Sequence, residues 1–201
     1  MRVDADVARE RAGAYLAYAA ALMRDVREAC MDDIVAAGAL LVEAFRSDHA
    51  LLICGNGGSA ADAQHLATEF VSALTLDHPR PAMRAIALTT DTSALTAIAN
   101  DYGADRMFAR QVEAIGTAGD VLIAISTSGN SPNIVAAAEA ARAAGIGVVA
   151  LTGASGGAVA PLADVAIRVP STTTAHIQEC HLAIEQLLAL IAERTLYPDP
   201  T

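Results

Sequence analysis

The sequence predicts an α/β three-layer sandwich, with a five-stranded parallel sheet and an N-terminal helical pair. Three observations predict it. Five short apolar runs recur along the chain, each ending near glycine or small polar residues. Helical patterns of apolar residues separate those runs, and strands alternating with helices imply βαβ units and a parallel sheet. Aromatic residues make up only 3% of a chain that is 54% hydrophobic. Small aliphatic residues in that proportion suit packed helices and strands buried on both faces.

The elements follow in order. Residues 4–48 are periodic and rich in Ala, Leu, Glu and Arg, which predicts two amphipathic helices over roughly 4–27 and 30–47. At Ala50 the pattern switches: "ALLIC" is a buried strand that ends in the glycine turn "GNGG". Further strands are expected at 85–89, 121–126, 147–151 and 165–169. Helices are expected at Ala60–Ala73, Ser93–Ile98, Met107–Ile115, Asn133–Ala144 and Thr174–Arg194. We divide the chain into oligomerisation helices at 1–48 and one sheet domain at 49–201, which together form a single structural unit. The leading pair is apolar enough to pack against another subunit.

The formal net charge is −10 and the pI about 4.8. That balance argues against nucleic acid or anionic membrane as partner, because phosphate contacts on that scale need clustered Lys and Arg. Small phosphorylated ligands remain open, since backbone N–H groups and hydroxyls can hold them. Cys30, Cys54 and Cys180 have no metal-finger or redox spacing. They read as reduced thiols, and the charged N-terminus has no apolar core of a signal peptide, so the expected location is cytoplasmic. No apolar run reaches the length of a membrane span.

Two loops follow strand ends and open helices: "CGNGGSAADAQH" (54–65) and "ISTSGNSPN" (125–133). Ligands of open α/β sheets collect at such carboxyl ends. Ser59 and Ser131 stand where helix N-caps belong. Ser126, Thr127, Ser128 and Ser131 put four hydroxyls into six residues, a neutral cradle suited to one phosphate. The alternative for either loop is an ordinary strand-to-helix turn with a serine cap, and the two loops together argue against it. No Walker lysine and no GxGxxG spacing is present, which argues against a nucleoside triphosphate or a dinucleotide. His65 and Glu69 lie four apart on the next helix and share a face. Such a pair can bind one metal, act as acid and base, or simply be a solvated helix pair.

Taken together, "CGNGGSAADAQH", "LTAIANDYG", "GDVLIAISTSGNSPN", "VVALTGASGG" and "IQECH" resemble the blocks of the sugar isomerase (SIS) domain, and of its phosphoheptose isomerase branch. The resemblance implies a homotetramer that isomerises sedoheptulose 7-phosphate to D-glycero-D-manno-heptose 7-phosphate with a zinc ion. It implies that the Ser/Thr loop holds the phosphate. It places Asn56, Gly57 and Gly58 in a first substrate loop and Asn100 and Asp101 in a third. It makes His65 and Glu69 zinc-site residues, with Glu69 also an acid/base, and Gln178 a contact of both zinc and substrate.

The sequence departs from that pattern at one place. The branch has a histidine, its last zinc ligand and second acid/base, eight residues after the glutamine; here that position is Gln186. An amide does not transfer protons and binds zinc weakly. His181, at +3, points elsewhere on the helix, about 140° away. Glu185, at +7, and His176, near the helix start, are the candidate substitutes. A second SIS branch, which binds the replication initiator DnaA without catalysis, also lacks that histidine; "LTAIAND" and the tail "ERTLYPDP" are similar to it. A sugar-phosphate sensor is the third reading. Cys180 is expected in the core.

Overall fold

A computed structural model describes residues 4–198. Five strands form one parallel sheet: β1 (Leu51–Cys54), β2 (Ala85–Ala87), β3 (Val121–Ile125), β4 (Gly147–Gly153) and β5 (Val165–Val169). Their order is β2-β1-β3-β4-β5. The helices are α1 (Ala5–Ala29), α2 (Met31–Arg46), α3 (Gly58–Val71), α4 (Thr92–Tyr102), α5 (Ala109–Ile115), α6 (Pro132–Ala143) and α7 (Thr174–Leu196).

The strands are apolar throughout because both sheet faces are covered, and their alternation divides one core from the other. Leu51, Ile53, Val121, Ile123, Ile125, Val149 and Leu151 pack with α2, α3 and α7. Leu52, Cys54, Leu122, Ala124, Val148 and Ala150 pack with α5 and α6 on the opposite face. The three-layer arrangement is therefore the expected one.

Several elements differ from expectation at their ends. Strand β2 stops at Ala87, and β4 runs on to Gly153. Helix α4 extends to Tyr102, although none of its residues is buried. Asp91 caps its start by accepting from the Ala94 N–H. Helix α2 buries Ile34, Ala37, Leu41 and Val42 in the chain's own core. Gly38 lets it close on α7: a Cβ there would lie 2.7 Å from Ile191. Helix α1, by contrast, buries only Leu22 and Val26.

Candidate active site

The strand order reverses at β1, whose neighbours on its two sides are reached by crossovers in opposite directions. A crevice opens outside the carboxyl ends at such a switch point, and ligands bind there. The loops after β1 and β3 are the two glycine- and serine-rich stretches of the sequence. Asn56 and Asn133 tie them together through a reciprocal amide pair, at 2.9 and 2.8 Å. Asn133 carried no expectation beyond helix formation; an Asn after Pro at a helix start is too common a signal.

The β3 loop is built tightly. Ser126 Oγ lies 3.2 Å from Ser131 Oγ and accepts from the Gly129 N–H. Ser128 Oγ accepts from the Asn130 N–H. Gly129 has φ +68°, and a Cβ there would run into the Gly156 carbonyl. Glycine is required at this contact by backbone and space together. Thr127 and Ser128 face a cavity of about 240 Å³, closed on its other sides by Gly153, Ser155, Ser171 and Thr174. Ser131 is the N-cap of α6 as expected, but its hydroxyl turns to Ser126 and caps no N–H. Ser59 is not an N-cap. Gly57, at φ +57°, takes that position, and Ser59 sits in the first turn of α3, buried.

Gln178 lies directly over the β1 loop. A Cβ on Gly58 would meet its amide. The Gln178 amide donates to Asp62 Oδ1 at 3.4 Å. Two turns further along the same helix pair, His65, Glu69 and Gln186 meet. His65 Nε2 is 3.2 Å from Glu69 Oε1. The Gln186 amide nitrogen lies 2.5 Å from His65 Nε2 and donates to Glu69 Oε1 at 3.3 Å. Gln178 and Gln186 are about 12 Å apart along α7 at the helical rise. In this structure Gln178 bonds Asp62, while Gln186 bonds His65 and Glu69.

Arg80 fixes the end of α3 where Glu69 stands. Its guanidinium donates to the carbonyls of Glu69 (2.5 Å) and Phe70 (2.9 Å) and pairs with buried Glu193 at 2.7 Å. These are carbonyls that a helix end leaves without partners. An Arg before Pro in a loop gave no hint of this role.

The remaining side chains of α7 are placed as follows. His176 is buried between the rings of Tyr15 and Tyr18 of α1, with Nδ1 2.9 Å from Glu179. Tyr15 donates to Glu179 at 2.5 Å. His181 is fully buried; its Nε2–H donates to the Thr152 carbonyl, and burial pushes its pKa down to about 4. Cys180 is in the core. Glu185 is also fully buried, and neither oxygen has a partner. Burial, and secondly the nearby Asp62, push its pKa up to about 9. Among the described residues, no hydrogen bond or ion pair joins His176 or Glu185 to the Glu69 cluster. Asn100 and Asp101 are exposed on α4, bonded to each other at 2.7 Å, and stand apart from the cradle.

A structural zinc site takes four thiolate, imidazole or carboxylate ligands, and a catalytic one takes three with a position left open. Here one imidazole and one carboxylate converge with one amide. Among the described residues no three His, Cys, Asp or Glu side chains are gathered to hold a metal. The amide is a weak third ligand, and it already engages both neighbours. The residues present do not fit the zinc centre that the resemblance implies. They do fit a proton-transfer site: a partly exposed carboxylate with an imidazole on one side and an amide donor on the other.

Known proteins resemble this chain in sequence and in fold. Residues 14–153 match the family described as the SIS domain. A phosphoheptose isomerase of Roseiflexus sp. (strain RS-1) is 54% identical over 83% of each chain. That of Halorhodospira halophila is 49% identical over 88% of this chain and 90% of its own. Among solved structures, phosphoheptose isomerase from Neisseria gonorrhoeae superposes with TM-score 0.85 at 43% identity, covering 90% of this chain and 96% of that one. The Francisella tularensis enzyme gives 0.89 at 35%, covering 93% and 98%. The chain belongs to the SIS domain family and, within it, to the phosphoheptose isomerases.

Proposed function

We propose that this chain isomerises sedoheptulose 7-phosphate to D-glycero-D-manno-heptose 7-phosphate. The observation that carries the reading is the pairing of two features: a neutral hydroxyl cradle at the sheet's switch point, and a partly exposed Glu69 on the helix that opens there. Thr127 and Ser128, with Ser126 and Ser131 behind them, take the phosphate. Asn56, Gly57, Gly58 and Ser59 line the sugar path with Gln178, whose amide Asp62 orients. Glu69 takes a proton from C1 of the ketose, which gives an enediol, and returns it to C2. The hydroxyl proton passes from O1 to O2, so nothing is gained or lost. Zinc enters no step.

The chain works as a homotetramer in the cytoplasm, with sites completed across subunits. Support comes from the separate openings that the cradle and Gln186 border within one chain. Asn100 and Asp101, exposed on α4, are placed to reach a neighbour's site. The three cysteines are free and buried, in keeping with a reducing compartment. No helix among the described residues is long and apolar enough to cross a membrane. The DnaA-binding alternative has less support, because the relatives carry isomerase names and Glu69 stands accessible.

The test is incubation of the purified chain with sedoheptulose 7-phosphate, following the aldoheptose phosphate formed. Ser128→Asp should abolish substrate binding by placing a carboxylate beside the phosphate. Absence of product from the unaltered chain would overturn the isomerase reading. Unchanged affinity in the variant would remove the cradle.

A further inference from the structure

We propose that the His65–Glu69–Gln186 triad is a metal-free site, which Gln186 alone keeps closed to divalent cations. The proposal stands on these three side chains and not on the reaction assigned above.

His65 and Glu69 are four residues apart on α3, with donor atoms 3.2 Å from each other. Two ligands one turn apart on a helix already make half of a divalent-cation site. The third corner comes from α7, and Gln186 reaches both of the other two. Gln Nε2 and His Nε2 are the same number of bonds from Cα. A histidine at 186 would therefore put a ring nitrogen where the amide nitrogen now lies. The set would become two imidazoles and one carboxylate with an open position, a ligand set that suits zinc. His65 is partly exposed, its side chain at 43%, so a cation has an entry path. As the chain stands, the amide contributes a neutral group to the corner. It also donates to the carboxylate oxygen that a cation would need.

The experiment compares the full chain with Gln186→His, Gln186→Glu and the double variant H65A/Q186H. Each is equilibrated with zinc, dialysed against metal-free buffer and assayed for zinc by mass spectrometry. Thermal unfolding is recorded with zinc and with EDTA. The unaltered chain is expected to retain less than about a tenth of an equivalent, with a Tm indifferent to EDTA. Gln186→His should retain about one zinc per chain and show a Tm that EDTA lowers. Gln186→Glu, close in shape to the native side chain, should gain zinc in the same sense. The double variant should lose the gain, which locates the metal at this site. Stoichiometric zinc in the unaltered chain would overturn the proposal, and so would no gain in either single variant. None of these readings uses turnover, so an inactive chain would leave them decisive.

Discussion

Glu185 and His181 are both buried on α7, and burial moves them in opposite directions. A carboxyl held protonated in the fold at about 9, against 4.5 for the free group, binds more protons folded than unfolded. Its contribution is complete below about pH 4.5 and is lost as the pH rises toward 9. His181, held neutral down to about 4 against 6.5, does the reverse. It adds stability as the pH rises from about 4 to 6.5 and is silent above that. Between pH 7 and pH 9, Glu185 is thus the group that counts of the two. We expect Glu185→Gln, which keeps the shape and removes the charge, to flatten the fall in stability over that range. At pH 9 its Tm should exceed that of the unaltered chain by about 4 °C or more, while the two nearly coincide at pH 5. Thermal unfolding at the three pH values checks this; parallel curves would mean that Glu185 finds a partner when it ionises. At seven residues after Gln178, Glu185 lies nearly on the same helix face, and its nearness to Asp62 agrees with that. Its complete burial depends on which helix packs over it, and no local pattern carries that.

The pairing of α3 with α7 is the element that turns a sheet with helices into a site. Gly58 is its closest point, because the Gln178 amide occupies the space where a Cβ would stand. Gly58→Ala is the direct probe. Alanine favours the helix, and the displaced atoms are the far end of a flexible side chain, so Tm should move by less than about 2 °C. Turnover should suffer more, with kcat/KM lower by about tenfold or more, as Gln178 is pushed off the sugar path. Steady-state kinetics beside a melting curve separates the two effects; equal losses in both would deny Gln178 a role in the site. Periodicity alone reveals five strands, the helices and both loops, because burial on both faces forces an apolar run and a switch to the helical period. It cannot reveal Asn56 on Asn133, Arg80 on the end of α3, or Gln186 on His65. These contacts join residues 77, 11 and 121 apart. For the same reason the serine at 59 looks like a cap: a Gly-Gly-Ser run leaves the true start of the helix open by two residues.

At the scale of the whole molecule, the first helix α1 and α4 are the parts that one chain leaves unfinished. Helix α1 shows Tyr15, Leu16 and Tyr18 to its surroundings, and no residue of α4 is fully buried. Beside α4 the exposed Ile86, Tyr102 and Ile115 border an open groove with Ala94, Ala97 and Ile98. Helix α4 meets its own core through partly buried Leu95, and most of its apolar face is left to its surroundings. Contiguous apolar surface of this kind marks association. Helix α2 differs, because its apolar face is already spent on α7 and the sheet. The proposed oligomer would therefore draw on α1 and α4 more than on α2. Ala97 lies exposed near the middle of α4. Ala97→Glu replaces one good helix former by another, so the isolated chain should keep its circular dichroism. In the assembly it places a charge against apolar surface, a cost of several kcal/mol unless the charge finds a partner. Light scattering after size exclusion should then find a homotetramer for the unaltered chain and species nearer the 20.6 kDa monomer for the variant. If Asn100 and Asp101 complete a neighbour's site, turnover falls with the mass. A variant that dissociates and keeps full turnover would return the whole site to one chain.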